Sequence, residues 1–230
     1  MVASVSSRCY ANPRMNVFKV IRMAERGAAV SSEKFKDEWL RRTRENGKGA
    51  KKLVASIATG EVALGGQGPP FDAMAALYYP SLQEARAAFS LAPGEIGIVA
   101  DEHLMSQKPD PEAKIKIIRT VYRRRDLTHA QFKDYWLKNH SKLEDRVIAE
   151  SPVQRIVATF AIPVAGTEPA FDGMVELYFR SAEDIRSMFA GPIPAMMRKD
   201  EENFVQMDAP AIRVVAEEYL LAERAAAKVA

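Results

Sequence analysis

The sequence predicts an α+β protein made of two tandem ferredoxin-like units of β-α-β-β-α-β order. Three observations carry that expectation. Phe35 to Leu40 reads FKDEWL, and Phe132 to Leu137 reads FKDYWL, 97 residues later. Phe71 to Phe89 and Phe171 to Phe189, 100 residues apart, are identical at eight of nineteen positions. A third pair, Asp101-Glu102 and Asp200-Glu201, lies 99 residues apart. Matches in one order at nearly one spacing indicate a duplicated unit of domain size, too long for a solenoid repeat.

The elements follow in order. Val17 to Met23 alternates apolar and polar residues and reads as a strand. Ser31 is placed to cap a helix with Glu33 in its first turn, and Phe35 and Trp39 share one face of it. Gly47 and Gly49 break the polar run that follows. Leu53 to Ala58 and Phe71 to Tyr79 read as strands around a Gly- and Pro-rich loop. Ser81 opens a helix to Phe89, and a second short helix is expected before His103. Lys114 to Tyr122 repeats the first strand. Thr128 with Gln131 forms a capping box, after which Phe132, Trp136 and His140 make one stripe down a helix. Arg155 to Ile162 and Phe171 to Phe179 are strands. Ser181 caps a helix to Phe189, Pro192 and Pro194 force a bend, a short helix carries Asp200-Glu201, and Ile212 to Leu221 is the last strand. The final strand of the unit is clear only in the second half. The expected division is residues 1–16 as a flexible arm, 17–106 as the first unit, 107–113 as linker, 114–221 as the second unit and 222–230 as a tail.

Each unit would carry both helices on one face of an antiparallel sheet and leave the other face bare, so that the two cover each other sheet to sheet. A ligand would sit between the sheet faces or between sheet and helix. With a net charge of +3 and 27% charged residues, the chain offers no electrostatic case for nucleic acid or an acidic membrane. Its single cysteine, Cys9, excludes an internal disulfide and fits a cytoplasmic location. No apolar run has the length of a membrane span.

His140 is the first candidate for chemistry, an imidazole on an apolar stripe and so a ready general acid or base. The plain alternative is a histidine that satisfies the last carbonyls of its helix. Asp200 could orient that histidine or take a proton, and the alternative is a capping or ion-pair role with Arg198 or Lys199. Tyr122, Tyr178 and Arg119 project from strands, where hydroxyls and a guanidinium could hold substrate oxygens, and Trp136 would form an apolar wall. Met188, Met196 and Met197 read as adaptable packing. Arg123-Arg124-Arg125 is either a carboxylate attractor or a solvated loop. His103, His129 and His140 lie on separate elements without metal-ligand spacing, so no metal site is expected. No dinucleotide, P-loop or nucleophile-elbow motif occurs.

The helix F-x-x-Y-W-x-x-x-H of Phe132, Tyr135, Trp136 and His140, followed by Asp172, Phe189, Asp200-Glu201 and Phe204, resembles the EthD family of the dimeric α+β barrel superfamily. The first half keeps Phe35, Trp39, Asp72, Phe89, Asp101 and Glu102 but has Thr43 where the second has His140. The resemblance implies two units closing one intramolecular barrel, the first degenerate. It also implies a cofactor-free lyase or isomerase type of enzyme acting on an aromatic or polyketide-like ligand in an apolar barrel cavity. The alternative it leaves is a non-catalytic binder or pathway accessory. A homodimer is compatible with either. Because threonine cannot shuttle a proton near neutral pH, the working site is expected mainly in the second half.

Overall fold

The computed structural model describes residues 17–65, 71–164 and 167–224. The expected arm at 1–16 and the tail from 225 lie outside the described residues. The first half runs β1 (Val17–Ala24), α1 (Ser32–Asn46), β2 (Lys52–Ala58), β3 (Ala73–Tyr79), α2 (Leu82–Ala88) and β4 (Glu95–Gln107). The second runs β5 (Ile115–Val121), α3 (His129–Tyr135), a π-helical turn (Trp136–His140), α4 (Ser141–Glu150), β6 (Arg155–Ala161), β7 (Gly173–Phe179), α5 (Ala182–Ala190), α6 (Ile193–Glu201) and β8 (Arg213–Glu223). The local signals for the helix starts hold: Ser31, Ser81, Thr128 and Ser181 each accept a backbone N–H of the first turn.

The eight strands form one closed antiparallel barrel in the order β1-β3-β2-β8-β5-β7-β6-β4. Each half contributes a four-stranded sheet of the same internal order, and the halves join edge to edge through β2 with β8 and β4 with β6. The units therefore close through their edges rather than stacking as two separate sheets. Edge strands present unpaired N–H and C=O groups, and closure pairs the two sheets' edges while turning both bare faces into one interior.

Two expectations about the first half fail at β4. No second helix lies between α2 and His103; Glu95 to Gln107 is a single strand. Asp101-Glu102 therefore sits on a strand and Asp200-Glu201 on a helix, so that third sequence pair does not correspond in space. The strand that matches β4 is β8, which extends to Glu223 and absorbs the start of the expected tail.

Side chains alternate between the barrel interior and the helix-covered outside. Ile21, Met23, Met74, Ile118, Phe171 and Met174 fill the interior. One stretch of it is ionic. Lys116 Nζ donates to Glu218 at 2.6 Å and also pairs with Glu176, while Lys19 Nζ donates to Glu102 at 2.6 Å and to Glu176 at 3.3 Å. The Tyr78 hydroxyl donates to Glu102 and the Tyr178 hydroxyl to Glu218, each at 2.9 Å. Burial alone would raise the Glu176 carboxyl, but Lys116 and Lys19 override it and hold it down at about 2. Lys19 belongs to the first half and Glu176 to the second, so this ion pair spans the two.

Candidate functional site

The second half builds its site on a helix that changes pitch. Thr128 and Gln131 close the capping box, and α3 then carries Phe132 into the space over β6 and β7. That approach needs Gly173: a Cβ there would stand 3.2 Å from the Phe132 ring and from the Thr159 carbonyl. From Trp136 to His140 the backbone widens into a π turn, a feature that recurs at functional sites. The turn delivers the His140 ring against Trp136 and Phe204, with centroids 5.7 and 5.0 Å away.

His140 Nδ1 lies 2.7 Å from Asp200 Oδ2, and the other oxygen of Asp200 accepts the Tyr135 hydroxyl at 3.1 Å. A carboxylate only accepts, so Nδ1 carries the hydrogen and Nε2 keeps its lone pair. Burial pushes the imidazole pKa below its ordinary value, and Asp200 offsets this only in part. His140 is therefore neutral near pH 7 and suited to take a proton.

Glu144, one turn further along, is the group that motif reading missed. It is 1% exposed, its Oε1 accepts the Trp136 indole N–H at 3.1 Å, and its Oε2 has no partner among the described residues. Burial pushes its carboxyl up to about 7, against a smaller lowering from Trp136. The available signal was its spacing: Glu144 stands four residues after His140, on the same helical face.

Both groups line a cavity of about 690 Å³, a volume suited to a small organic ligand. Its walls are the outer surface of the second half's sheet (Ile117, Val175, Leu177), the π turn with α4, and α5 with α6, including Met188, Met197 and Phe189. The loop Val62–Gly65 of the first half completes the rim. The cavity thus lies between sheet and helices, outside the barrel, and not in an apolar barrel lumen. The lumen itself is occupied by the packed apolar core and the lysine–glutamate network.

The sequence-predicted residues divide accordingly. His140, Asp200, Trp136 and Arg119 converge: Trp136, His140 and Arg119 line the cavity, and Asp200 braces His140. Tyr122 and Tyr178 do not. Both point into the barrel, Tyr122 against the apolar core and Tyr178 into the ionic network, with the sheet between them and the cavity. Strand alternation separates them from Arg119, since Thr120 and Tyr122 face inward and Arg119 outward. His129 is half-buried and meets Asp172 at 2.8 Å and Glu168 at 3.4 Å. Those three could ligate a metal by type, but the Arg123 guanidinium already bridges Glu168 and Asp172. Arg124 pairs with Asp126 and Arg123 with Glu168 and Asp172, so two of the three arginines of the run are engaged in ion pairs away from the cavity.

Among the described residues the first half has no equivalent cavity wall. Thr43 replaces His140 and returns its hydroxyl to the Trp39 carbonyl at 2.7 Å, and the Trp39 indole N–H goes to the Met74 carbonyl instead of a carboxylate. Gly47 stands where Glu144 would be, and a Cβ there would fall 2.3 Å from the Leu53 side chain. No helix between α2 and β4 matches α6.

Residues 124–208, spanning α3 to α6, match the EthD domain family. That match lies wholly within the second half. It covers the helices that wall the cavity, together with β6 and β7. No curated protein matches the chain in sequence. Among solved structures the chain resembles an anthrone oxidase-like protein, with a TM-score of 0.63, 8% identity and coverage of 93% of this chain and 97% of that one. It also resembles a candidate monooxygenase from Lactobacillus acidophilus, with a TM-score of 0.51, 10% identity and coverage of 91% and 97%. A variant chlorite dismutase from Candidatus Nitrospira defluvii gives 0.50, 9% identity, and 89% and 92%. At these identities the likeness establishes the α+β barrel fold alone. No helix among the described residues is long and apolar enough to cross a membrane.

Proposed function

We propose that the second half is a cofactor-independent proton-transfer enzyme, of lyase/dehydratase or isomerase/cyclase type, acting on an aromatic or polyketide-like small molecule. The observation that carries this reading is the neutral, Asp200-anchored His140 beside the buried, half-unpartnered Glu144 in one apolar cavity. His140 Nε2 takes a proton from a carbon that a carbonyl acidifies by conjugation. The C–H electron pair moves toward that oxygen, and protonated Glu144 returns a proton to the oxygen or to a neighbouring carbon. Asp200 steadies the imidazolium that forms, while Trp136 and Phe189 hold the ring system. His140 and Glu144 supply both ends of the transfer, so the scheme calls for no metal or organic cofactor.

The anthrone oxidase-like neighbour suggests a first test compound. An anthrone carries a C–H acidified by its carbonyl through two rings. Exchange of that hydrogen in D₂O, followed by proton NMR, reads the proposed step directly. His140→Ala should slow the exchange by about 10²–10⁴-fold. An unchanged rate in that variant overturns the role of His140. A ligand recovered unaltered, with no exchange at any pH, would assign the cavity to binding or delivery instead.

A further inference from the structure

The polar end of the cavity is charged out of balance. Arg119, Arg198 and Arg213 all line it together with a single nearby acidic partner, Glu201, which is paired with Arg119. Arg119 donates to Glu201 Oε1 at 2.6 Å, and its buried Nε has no partner among the described residues. Arg213 donates to the Gly65 carbonyl at 2.7 Å, which holds it at the rim without neutralising it. Burial lowers the Arg213 pKa, and crowding by Arg119 and Arg198 lowers it further, against only Glu201 in the other direction. Guanidinium groups gathered with one carboxylate between them leave an excess of positive charge. An arginine fork matches a carboxylate in geometry and keeps its charge at any physiological pH. The opposite wall is aliphatic and aromatic, so a bound molecule meets apolar surface along its body and guanidinium at one end.

We infer that the cavity selects a ligand with an apolar ring body and a permanent anionic end, a carboxylate class of substrate, held by Arg119, Arg198 and Arg213. This deepens the proposed function and rests on it only in using the same cavity. The arginine end orients the molecule and keeps its acidic carbon toward His140.

The test compares two probes of one shape, 2-naphthoate and 2-naphthamide, by calorimetric titration of the full chain. The naphthoate should bind at least about tenfold more tightly, in line with hydrogen bonds to a charged group in a partly buried site. Arg213→Gln and, separately, the exposed Arg198→Gln should each reduce that ratio without weakening the amide. The exposed position makes Arg198→Gln the variant least exposed to a folding defect. The ratio should survive His140→Ala, which separates this inference from the catalytic reading: loss of exchange tests His140, and the probe ratio tests the arginines. Equal affinity for the two probes, binding of neither, or a ratio unmoved in both arginine variants overturns the proposal.

Discussion

Glu144 shows how one buried residue couples stability to pH. Its carboxyl sits at about 7 in the folded chain against an ordinary 4.5, because burial disfavours its charge. A raised folded pKa contributes stability that is complete below 4.5 and is lost as pH climbs through 7. The shift corresponds to about 3 kcal/mol. His140 has the opposite sign: its lowered pKa contributes stability above its ordinary value and loses it as pH falls. Glu144→Gln should remove the first component alone. In chemical denaturation from pH 4.5 to 8, the variant should therefore gain on the wild type as pH rises. A constant difference between the two curves would show that Glu144 does not titrate in this window.

At the scale of the element, the π turn is the feature that makes the site. A regular helix already places Trp39 and Thr43 on one face in the first half, yet that helix only satisfies its own carbonyls. In the second half the π turn gives the helix one residue more than an α-helix would use, and His140 reaches across to Asp200 on α6. Deleting the exposed Lys138 should return the segment to α-geometry while leaving α3 and α4 packed. The expected outcome is a cooperatively folded protein that has lost the downfield Nδ1–H resonance of His140 in its proton NMR spectrum. Retention of that resonance would show that the wider turn is not what joins His140 to Asp200.

For the whole molecule, the ionic network in the barrel interior joins the halves. Glu176 pairs with Lys116 of its own half and with Lys19 of the other. Breaking a buried ion pair from one side leaves uncompensated charge and typically costs 3–5 kcal/mol. Glu176→Gln should destabilise the chain by about that amount, measured by urea unfolding. Because Glu176 has its back to the cavity, affinity for an apolar probe should change little at temperatures where the variant stays folded. A variant as stable as the wild type would mean that Glu102 and Glu218 suffice for both lysines.

Much of the fold was legible without tertiary information, because its signals are local. Caps at Ser31, Ser81, Thr128 and Ser181, the paired FKD-x-WL segments and strand alternation depend only on neighbouring residues and on the period of the backbone. Alternation even held the answer for Tyr122, which it places opposite Arg119. The pairing of His140 with Asp200 was foreseeable as a pair of types, since a buried imidazole seeks a carboxylate. Other features arose only on folding. β4 is a single strand because two sheet edges, β1 and β6, are there to receive it along its whole length, which the local β-formers Ile96, Ile98 and Val99 do not by themselves announce. The cavity lies outside the barrel because closure fills the interior with paired charge, and α6 over the sheet leaves the space on the outer face. Glu144 looked like any surface glutamate until burial against Trp136 changed its proton affinity. The sequence by itself determined the elements and the stripe that carries His140. Tertiary structure decided which faces meet, and hence which charges are buried, because desolvation and charge pairing are properties of the surroundings and not of the residue.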